Sequence, residues 1–106
     1  MTADPPEESW PALEIIWSRK ALARLRETQQ YIATDKPGAA TRLALRIVSV
    51  VAALRVHPHV GRAGSQPPLR ELIIGGTPYI VIYKVGRKRL TILTIWHGAQ
   101  ESRSGD

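Results

Sequence analysis

Residues 40–54 restrict the fold of this chain more than any other segment, because their apolar side chains recur at the spacing of an α-helix. The recurrence at i, i+3, i+4 and i+7 puts these side chains on one side of a helix, which must be buried against another element. Asp35 or Lys36 stands near the N-cap, and Pro37 fits the first turn. We therefore predict a core helix that an aspartate at Leu43 or Ile47 would unfold. The apolar positions are Ala40, Leu43, Ala44, Ile47, Val50, Val51 and Leu54.

Another helix is predicted before this one. Ser18 is a suitable N-cap residue, and the segment behind it has an apolar stripe and a basic outer face. The short connection at residues 35–38 makes the two helices an antiparallel hairpin. Before Ser18, the β-branched and aromatic run at residues 13–17 predicts a first strand. The basic outer face holds Arg19, Lys20, Arg24 and Arg26.

Three more strands are predicted after the helical hairpin. Pro58 ends the second helix, and residues 57–68 are predicted to form a loop. The runs 69–74, 79–85 and 89–96 are separated by short glycine-containing turns, which indicates an antiparallel meander. The predicted fold is thus α+β: a first strand, an antiparallel helical hairpin and a three-stranded antiparallel meander.

Strand alternation predicts which side chains share a face of the sheet. In the middle strand Tyr79, Val81 and Tyr83 lie on one face. In the last strand strict alternation groups four side chains on one face. Both faces are largely apolar, so we expect the helical hairpin on one and an uncovered surface, open to a partner, on the other. The four grouped side chains are Leu90, Ile92, Thr94 and Trp96.

Charge divides the chain into three parts. Residues 1–12 combine three prolines with three acids and are predicted to be a flexible acidic arm, and residues 101–106 a flexible tail. Residues 13–100 form the single predicted domain, where fourteen Lys or Arg face four acids, a net charge of +10. Eleven of the fifteen basic residues of the chain are arginine, which favours bidentate binding of carboxylates or phosphates. An acidic macromolecule is therefore the expected partner.

Several kinds of site are excluded by residue type. The chain has no cysteine, so it has no disulfide, thiolate metal site or cysteine nucleophile. His57 and His59 flank a proline with no third ligand nearby, so no metal or other cofactor is predicted. The longest apolar run, at residues 47–54, is too short to span a membrane, and no signal peptide is recognisable. We expect a cytoplasmic protein.

An ordered series of motifs resembles the RelE/ParE superfamily of toxins from type II toxin–antitoxin modules, nearest the ParE or plasmid-stabilisation branch. The resemblance covers residues 13–100. It rests on Trp17-Ser18, Tyr31-Ile32, Pro37-Gly38-Ala39-Ala40, His57-Pro58, Gly61-Arg62, Leu69-Arg70-Glu71, the run from Tyr79 to Tyr83, and the closing run from Ile92 to Gln100 with Trp96-His97-Gly98. Such a toxin is encoded beside an acidic antitoxin that wraps it with a helix and an extended segment.

The resemblance implies two alternative modes of action. Toxins of the ParE branch poison DNA gyrase and have no known nucleophilic chemistry. This chain has no suitably placed catalytic carboxylate, which favours the gyrase mode over RNA cleavage. Ribonucleases of the superfamily cut messenger RNA in the ribosome, which requires an acid, a base and cations around the phosphate. A basic nucleic-acid-binding module without toxicity is a third possibility, and predicts a strongly salt-dependent affinity.

Four residues are candidates for catalysis if the chain is a ribonuclease. Arg62 and Arg70 occupy positions where phosphate-binding arginines of the family can lie, His97 is the candidate acid or base, and Tyr83 would assist, with Tyr79 as an alternative. Each also fits a structural role: Arg62 in shaping a loop, Arg70 in a pair with Glu71, the tyrosine in packing and His97 as a hydrogen-bonded residue at a strand end.

The candidate partner-binding residues lie on the predicted helices, in the last turn and, for Trp96, at the end of the last predicted strand. Trp96 also fits the core or the stacking of a base. The partners expected are the acidic antitoxin, in a hetero-oligomer, and a target that is gyrase or ribosome-bound messenger RNA. The binding candidates are Arg19, Arg24, Arg42, Arg46, Arg87 and Trp96.

Overall fold

A computed structural model of the chain describes residues 12–64 and 66–98. The predicted acidic arm, apart from Ala12, and the predicted tail lie outside the described residues. The predicted α+β class is confirmed, with two helices and a five-stranded mixed sheet. The elements are β1 (Glu14–Trp17), α1 (Arg19–Ala33), α2 (Pro37–Ala53), β2 (Arg62–Ala63), β3 (Arg70–Ile73), β4 (Tyr79–Val85) and β5 (Arg89–His97).

The sheet has the strand order β1-β5-β4-β3-β2. The predicted meander is present as β3, β4 and β5, which pair antiparallel. Two features of the sheet were not predicted. The first strand joins the sheet by pairing parallel with β5, and the expected loop contains β2, which pairs antiparallel with β3 over two residues. A two-residue strand between Gly61 and Gly64 has no alternation by which a sequence pattern could reveal it.

The helices begin where the sequence predicts. The Ser18 hydroxyl accepts a hydrogen bond from the Ala21 amide at 3.0 Å, as an N-cap side chain does. Lys36 is the N-cap residue of α2, and Pro37 takes the first helical position, where a missing N–H costs nothing.

The hydrophobic core lies between the helical hairpin and one face of the sheet, which we call the helix face. From α2 it takes Ile47 and Val51, and Leu54 just beyond the helix end is equally buried. The predicted helical stripe therefore faces the core. The strands contribute Val81, Tyr83, Leu90, Ile92 and Ile95.

A β-bulge at Leu93 interrupts the alternation of β5. Tyr83 lies opposite Ile92, whereas the preceding residue Ile82 lies opposite Thr94, so Leu93 is an extra residue on β5. The predicted grouping of Leu90, Ile92, Thr94 and Trp96 is therefore wrong beyond Ile92. After the bulge Ile95 and His97 lie on the helix face, opposite Val81 and Tyr79, while Thr94 and Trp96 lie on the second face.

Helix α1 is tied to the bulged part of β5 through three carbonyl oxygens. The Ser18 amide donates to the Ile92 carbonyl at 3.0 Å, and the Ser18 hydroxyl donates to the Leu93 carbonyl at 2.9 Å. Six residues further along the chain, Arg24 Nε donates to the Ile95 carbonyl at 3.1 Å. β1 pairs with β5 only as far as Ile92, so these bonds satisfy backbone groups that β1 leaves open.

The second face of the sheet is less open than expected. At its centre Ile82 and Thr94 are buried, and Ile80 and Trp96 are half-buried beside them. At the margin of this face the expected exposed apolar surface is present, because Ile73 at the end of β3 is exposed. Most of the large exposed apolar side chains lie instead on the helices and the segment that follows them: Leu22, Tyr31, Leu45, Val48, Val56 and Val60.

We predict that Ile47→Asp unfolds the chain, because Ile47 is fully buried and an unpaired carboxylate there costs at least about 4 kcal/mol, most of the stability of a small domain. Circular dichroism with urea titration measures the effect. Ser49→Asp, on the exposed side of the same helix, is the control and should shift the free energy of unfolding by no more than about 0.5 kcal/mol. A folded Ile47→Asp variant would contradict this core assignment.

Candidate functional site

The hydroxyl of Tyr83 holds the segment that joins α2 to β2. It accepts a hydrogen bond from the Gly61 amide at 2.9 Å and donates one to the Pro58 carbonyl at 2.8 Å. Tyr83 is fully buried, and burial raises the pKa of its hydroxyl, while the bond from Gly61 and the charge of Arg70 act in the opposite direction. The hydroxyl therefore stays protonated at neutral pH and keeps both bonds.

Arg70 fixes the same segment from β3. Its Nη1 donates to the Gly61 carbonyl at 2.7 Å and lies 3.4 Å from the His59 carbonyl. Gly61 is closely surrounded: a Cβ placed there would lie 2.9 Å from the Glu71 carbonyl oxygen and closer still to the Tyr83 side chain. Only glycine fits this position without a shift of its neighbours, which gives the predicted Gly61-Arg62 motif a physical reason.

Arg62 forms an ion pair with Glu71 across the short β2–β3 ladder. The two residues are direct partners in the register, and Arg62 Nη2 lies 3.0 Å from Glu71 Oε1. Arg62 Nε donates to the same oxygen at 3.1 Å. From the sequence, the structural role expected for Arg70 was an ion pair with Glu71. In the structure Glu71 pairs with Arg62 instead.

His97 lies at the other end of the helix face. It is opposite Tyr79, and the two rings meet edge to face with centroids 5.2 Å apart. Tyr79 is four residues from Tyr83 along β4, which separates His97 from the Tyr83 region by about 13 Å. The structure therefore brings Arg62, Arg70 and Tyr83 together and places His97 apart from them.

A cavity of about 190 Å³ opens beside His97, between α1 and the ends of β4 and β5. Burial raises the pKa of Tyr79, and the nearby Tyr31 raises it further. The residues from α1 share one side of the helix because they are spaced at i, i+3, i+4 and i+7. The lining residues are Arg24, Glu27, Thr28, Tyr31, Tyr79, Ile95 and His97.

Among the α1 residues that line this cavity, three were not predicted from the sequence, namely Glu27, Thr28 and Tyr31. Their helical spacing from Arg24 was the available signal. This spacing alone indicated no site, because strict alternation in β5 does not place His97 on the face of the sheet that α1 covers. The bulge at Leu93 is what brings His97 to these residues.

The predicted partner-binding residues are distributed over the molecule. Arg19, Arg42, Arg46 and Arg87 are exposed, on α1, on α2 and in the β4–β5 turn. Arg46 extends toward the β3–β4 turn, where its guanidinium would lie 3.4 Å from a Cβ on Gly75. Arg24 and Trp96 are half-buried, with Arg24 bonded to β5 and Nη1 also 4.0 Å from the Glu27 carboxylate.

The part of the chain that the structure describes contains neither a metal site nor a membrane span. No group of three or more His, Asp or Glu side chains there is arranged to hold a metal ion. Neither described helix has both the length and the apolar character that crossing a membrane requires.

Comparison with known proteins gives a consistent set of similarities. The profile of the family described as "ParE toxin of type II toxin-antitoxin system, parDE" matches residues 15–102. The chain is 41% identical over 87 residues to "Putative toxin Y4kP" of Sinorhizobium fredii, covering 82% of this chain and 90% of that protein. It is 34% identical over 87 residues to "Toxin RelE2" of Caulobacter vibrioides, covering 82% of this chain and 97% of that protein.

A solved structure has the same fold. A chain of the chromosomal ParDE toxin–antitoxin system from P. aeruginosa superposes with a TM-score of 0.74 at 26% sequence identity. The match covers 81% of this chain and 96% of that one.

We predict that Tyr83→Phe lowers the free energy of unfolding by about 1–3 kcal/mol, because the Gly61 amide and the Pro58 carbonyl lose their partner. Urea denaturation measures the change. Tyr31→Phe, which removes the same atom from an exposed side chain, is the matched control and should be neutral within about 0.5 kcal/mol. Equal stability of Tyr83→Phe and the control would contradict the anchoring role.

Proposed function

The chain belongs to the ParE toxin family of type II toxin–antitoxin systems, and we propose that it inhibits DNA gyrase and is neutralised by a cognate acidic antitoxin. The predicted membership of the RelE/ParE superfamily is confirmed by the family profile, the toxin relatives and the ParDE fold. The family implies an antitoxin protein as partner. The gyrase target, the acidic character of that antitoxin and a cytoplasmic location are the proposed parts.

One observation carries the choice of gyrase: the residues that a ribonuclease would need are apart and engaged elsewhere. The Tyr83 hydroxyl and the Arg70 guanidinium bind backbone groups of residues 58–61. Arg62 is paired with Glu71, and His97 is about 13 Å further along the sheet. Acid–base chemistry on one phosphate requires these groups within hydrogen-bond reach of the same substrate. A toxin that acts by occupying a surface has no such requirement.

The excess of exposed positive charge on the described residues supports an acidic antitoxin as the partner. Three of the described acidic residues, Glu14, Glu27 and Glu71, are already close to arginines. The exposed cations on the two helices and in the β4–β5 turn therefore face solvent without enough acids of their own to neutralise them. An acidic protein supplies carboxylates to Arg19, Arg42, Arg46 and Arg87 and associates rapidly through its opposite charge.

Ribosome-dependent cleavage of messenger RNA is the second candidate, and one feature favours it. His97 lies in a cavity with Arg24, Tyr31 and Tyr79, which together offer a titratable group, a cation and two rings on which a base can stack. A similar protein of Caulobacter vibrioides bears the name "Toxin RelE2". A ribonuclease of this kind would use the cavity beside His97 rather than the residues Arg62, Arg70 and Tyr83.

Expression of the chain without an antitoxin distinguishes the candidates. Inhibition of gyrase induces the DNA-damage response and removes negative supercoils from a reporter plasmid, while messenger RNA stays intact. Rapid messenger cleavage with normal supercoiling would overturn the gyrase proposal. Harmless expression together with salt-dependent DNA binding would indicate a binding module instead.

We predict that His97→Ala retains most of the toxicity of the chain, since inhibition of gyrase needs no acid–base group. Growth after induction is the measurement, and a circular dichroism spectrum equal to the wild type establishes that the variant is folded. A folded His97→Ala variant without toxicity, and with its messenger cleavage abolished, would support the ribonuclease and contradict the proposal.

A further inference from the structure

The turn between β4 and β5 concentrates positive charge at one end of the sheet. Residues 72–100 contain four Lys or Arg and no Asp or Glu, and all four basic residues lie within positions 84–89. The Gly86 amide donates to the Arg89 carbonyl at 2.7 Å, which leaves Arg87 and Lys88 as a two-residue hairpin loop. We call the four cations Lys84, Arg87, Lys88 and Arg89 the β-hairpin tip.

The β-hairpin tip is exposed and lies beyond the end of β3. All four of its residues are exposed. β3 pairs with β4 only as far as Tyr83, so it does not flank residues 84–88. Lys84 lies opposite Thr91, two residues from Arg89, so these two cations share the second face of the sheet with their Cβ atoms about 7–8 Å apart. The tip therefore presents its cations as one open group.

Two acids lie near the β-hairpin tip, and each already pairs with an arginine. Glu14, on β1, accepts a hydrogen bond through Oε1 from Arg89 Nε at 3.0 Å. Glu71, on β3, lies 3.0 Å from Arg62 Nη2. The ion pairs of the described residues do not involve the other three cations of the tip. These three positive charges are therefore available to an external anion.

A phosphate backbone fits the β-hairpin tip better than an acidic protein does. Within residues 84–89, all of which are described, no large apolar side chain is exposed, so a protein would bury little apolar surface there. Duplex DNA carries one negative charge per about 1.7 Å of helix axis, and Lys and Arg that bind it release its condensed counterions. Arg87 is also a candidate for contact with the antitoxin, so the antitoxin and DNA would compete for it.

A duplex fits the β-hairpin tip better than a single strand, which is held by stacking its bases on aromatic rings. Residues 84–89 include no aromatic residue. Elsewhere among the described residues, Tyr79 and Tyr83 are buried, and Trp17 and Trp96 are half-buried. The exposed Tyr31 lies beside Tyr79 at the other end of β4, about 20 Å from the tip. A duplex keeps its bases stacked on one another and needs no ring from the protein.

We propose that the β-hairpin tip binds the phosphate backbone of duplex DNA and so holds the chain beside the DNA on which gyrase acts. The proposal rests on the proposed function, which makes gyrase the target, and adds a contact between the chain and the substrate of that enzyme. Lys84, Arg87 and Lys88 each meet a phosphate and read no base. Binding is therefore independent of the DNA sequence and weakens steeply as salt rises.

Fluorescence anisotropy of a short labelled DNA duplex, titrated with the purified chain at several salt concentrations, tests the contact. Arg87→Gln with Lys88→Gln is the tip variant. Arg26→Gln with Lys36→Gln removes the same two charges from exposed positions on α1 and at the start of α2, and is the matched control. The tip variant should bind at least about tenfold more weakly at low salt, with a salt slope lower by about 2. The control should change the affinity by less than about threefold.

Three results would overturn the DNA site. One is a wild-type chain that does not bind the duplex at low salt. Another is equal weakening by the tip variant and the control, which would mean that net charge alone attracts the DNA. The third is tighter binding of a single-stranded RNA of the same length, since the cations would then serve an RNA.

Inhibition of supercoiling by the same two variants tests the place of this contact in the action on gyrase. The tip variant should need at least about fivefold more chain for half-inhibition at low salt, and the control about the same amount as the wild type. Equal inhibition by the tip variant and the control would overturn the role of the tip beside gyrase. A wild-type chain that binds the duplex through the tip but leaves gyrase active contradicts the proposed function, while the DNA site stands.

Discussion

The contact between Ser18 and the bulge of β5 is the constraint on which the rest of this fold depends. The extra residue at Leu93 reverses the faces on which the following side chains of β5 lie, so that Ile95 joins the core and His97 lines the cavity beside α1. A bulge exposes backbone groups that must be bonded, and the Ser18 amide and hydroxyl bind the carbonyls of Ile92 and Leu93. The same hydroxyl caps α1, so the helix starts at the point where the strand is irregular. The position of the helical hairpin follows from that start.

Two sets of polar side chains in the described structure have different roles. Those of Tyr83 and Arg70 are used internally, to hold the segment between α2 and β2 against the sheet. The exposed arginines of α2 are not used in this way, and they border apolar side chains that are also exposed. A surface on which exposed arginines lie beside exposed apolar side chains is suited to binding an acidic protein. This division is the physical basis for proposing a toxin that binds rather than cuts.

Features decided by local sequence were predictable, and features decided by distant contacts were not. The spacing of Ile47, Val51 and Leu54 fixes α2, Ser18 and Pro37 mark helix starts, and glycine turns separate the strands of the meander. The parallel pairing of β1 with β5 joins residues 75 positions apart in the chain, and the strand at Arg62–Ala63 is too short to show any alternation. The bulge had the largest effect on the candidate site, because one extra residue reverses every side chain beyond it. The resemblance to ribonucleases of the superfamily grouped His97 with Arg62, Arg70 and Tyr83, whereas the structure places it with Tyr79 and Arg24.

Titration of purified DNA gyrase with the purified chain measures whether the chain inhibits a protein target by binding to its surface. We expect the supercoiling activity to fall, the half-inhibiting concentration of the chain to rise in proportion to the gyrase concentration, and equimolar antitoxin to restore the activity. Ribosome-bound messenger RNA in a parallel reaction should remain intact. Unchanged supercoiling, together with messenger cleavage by amounts of the chain far below those of the ribosomes, would show that the chain is a ribonuclease and not an inhibitor of gyrase.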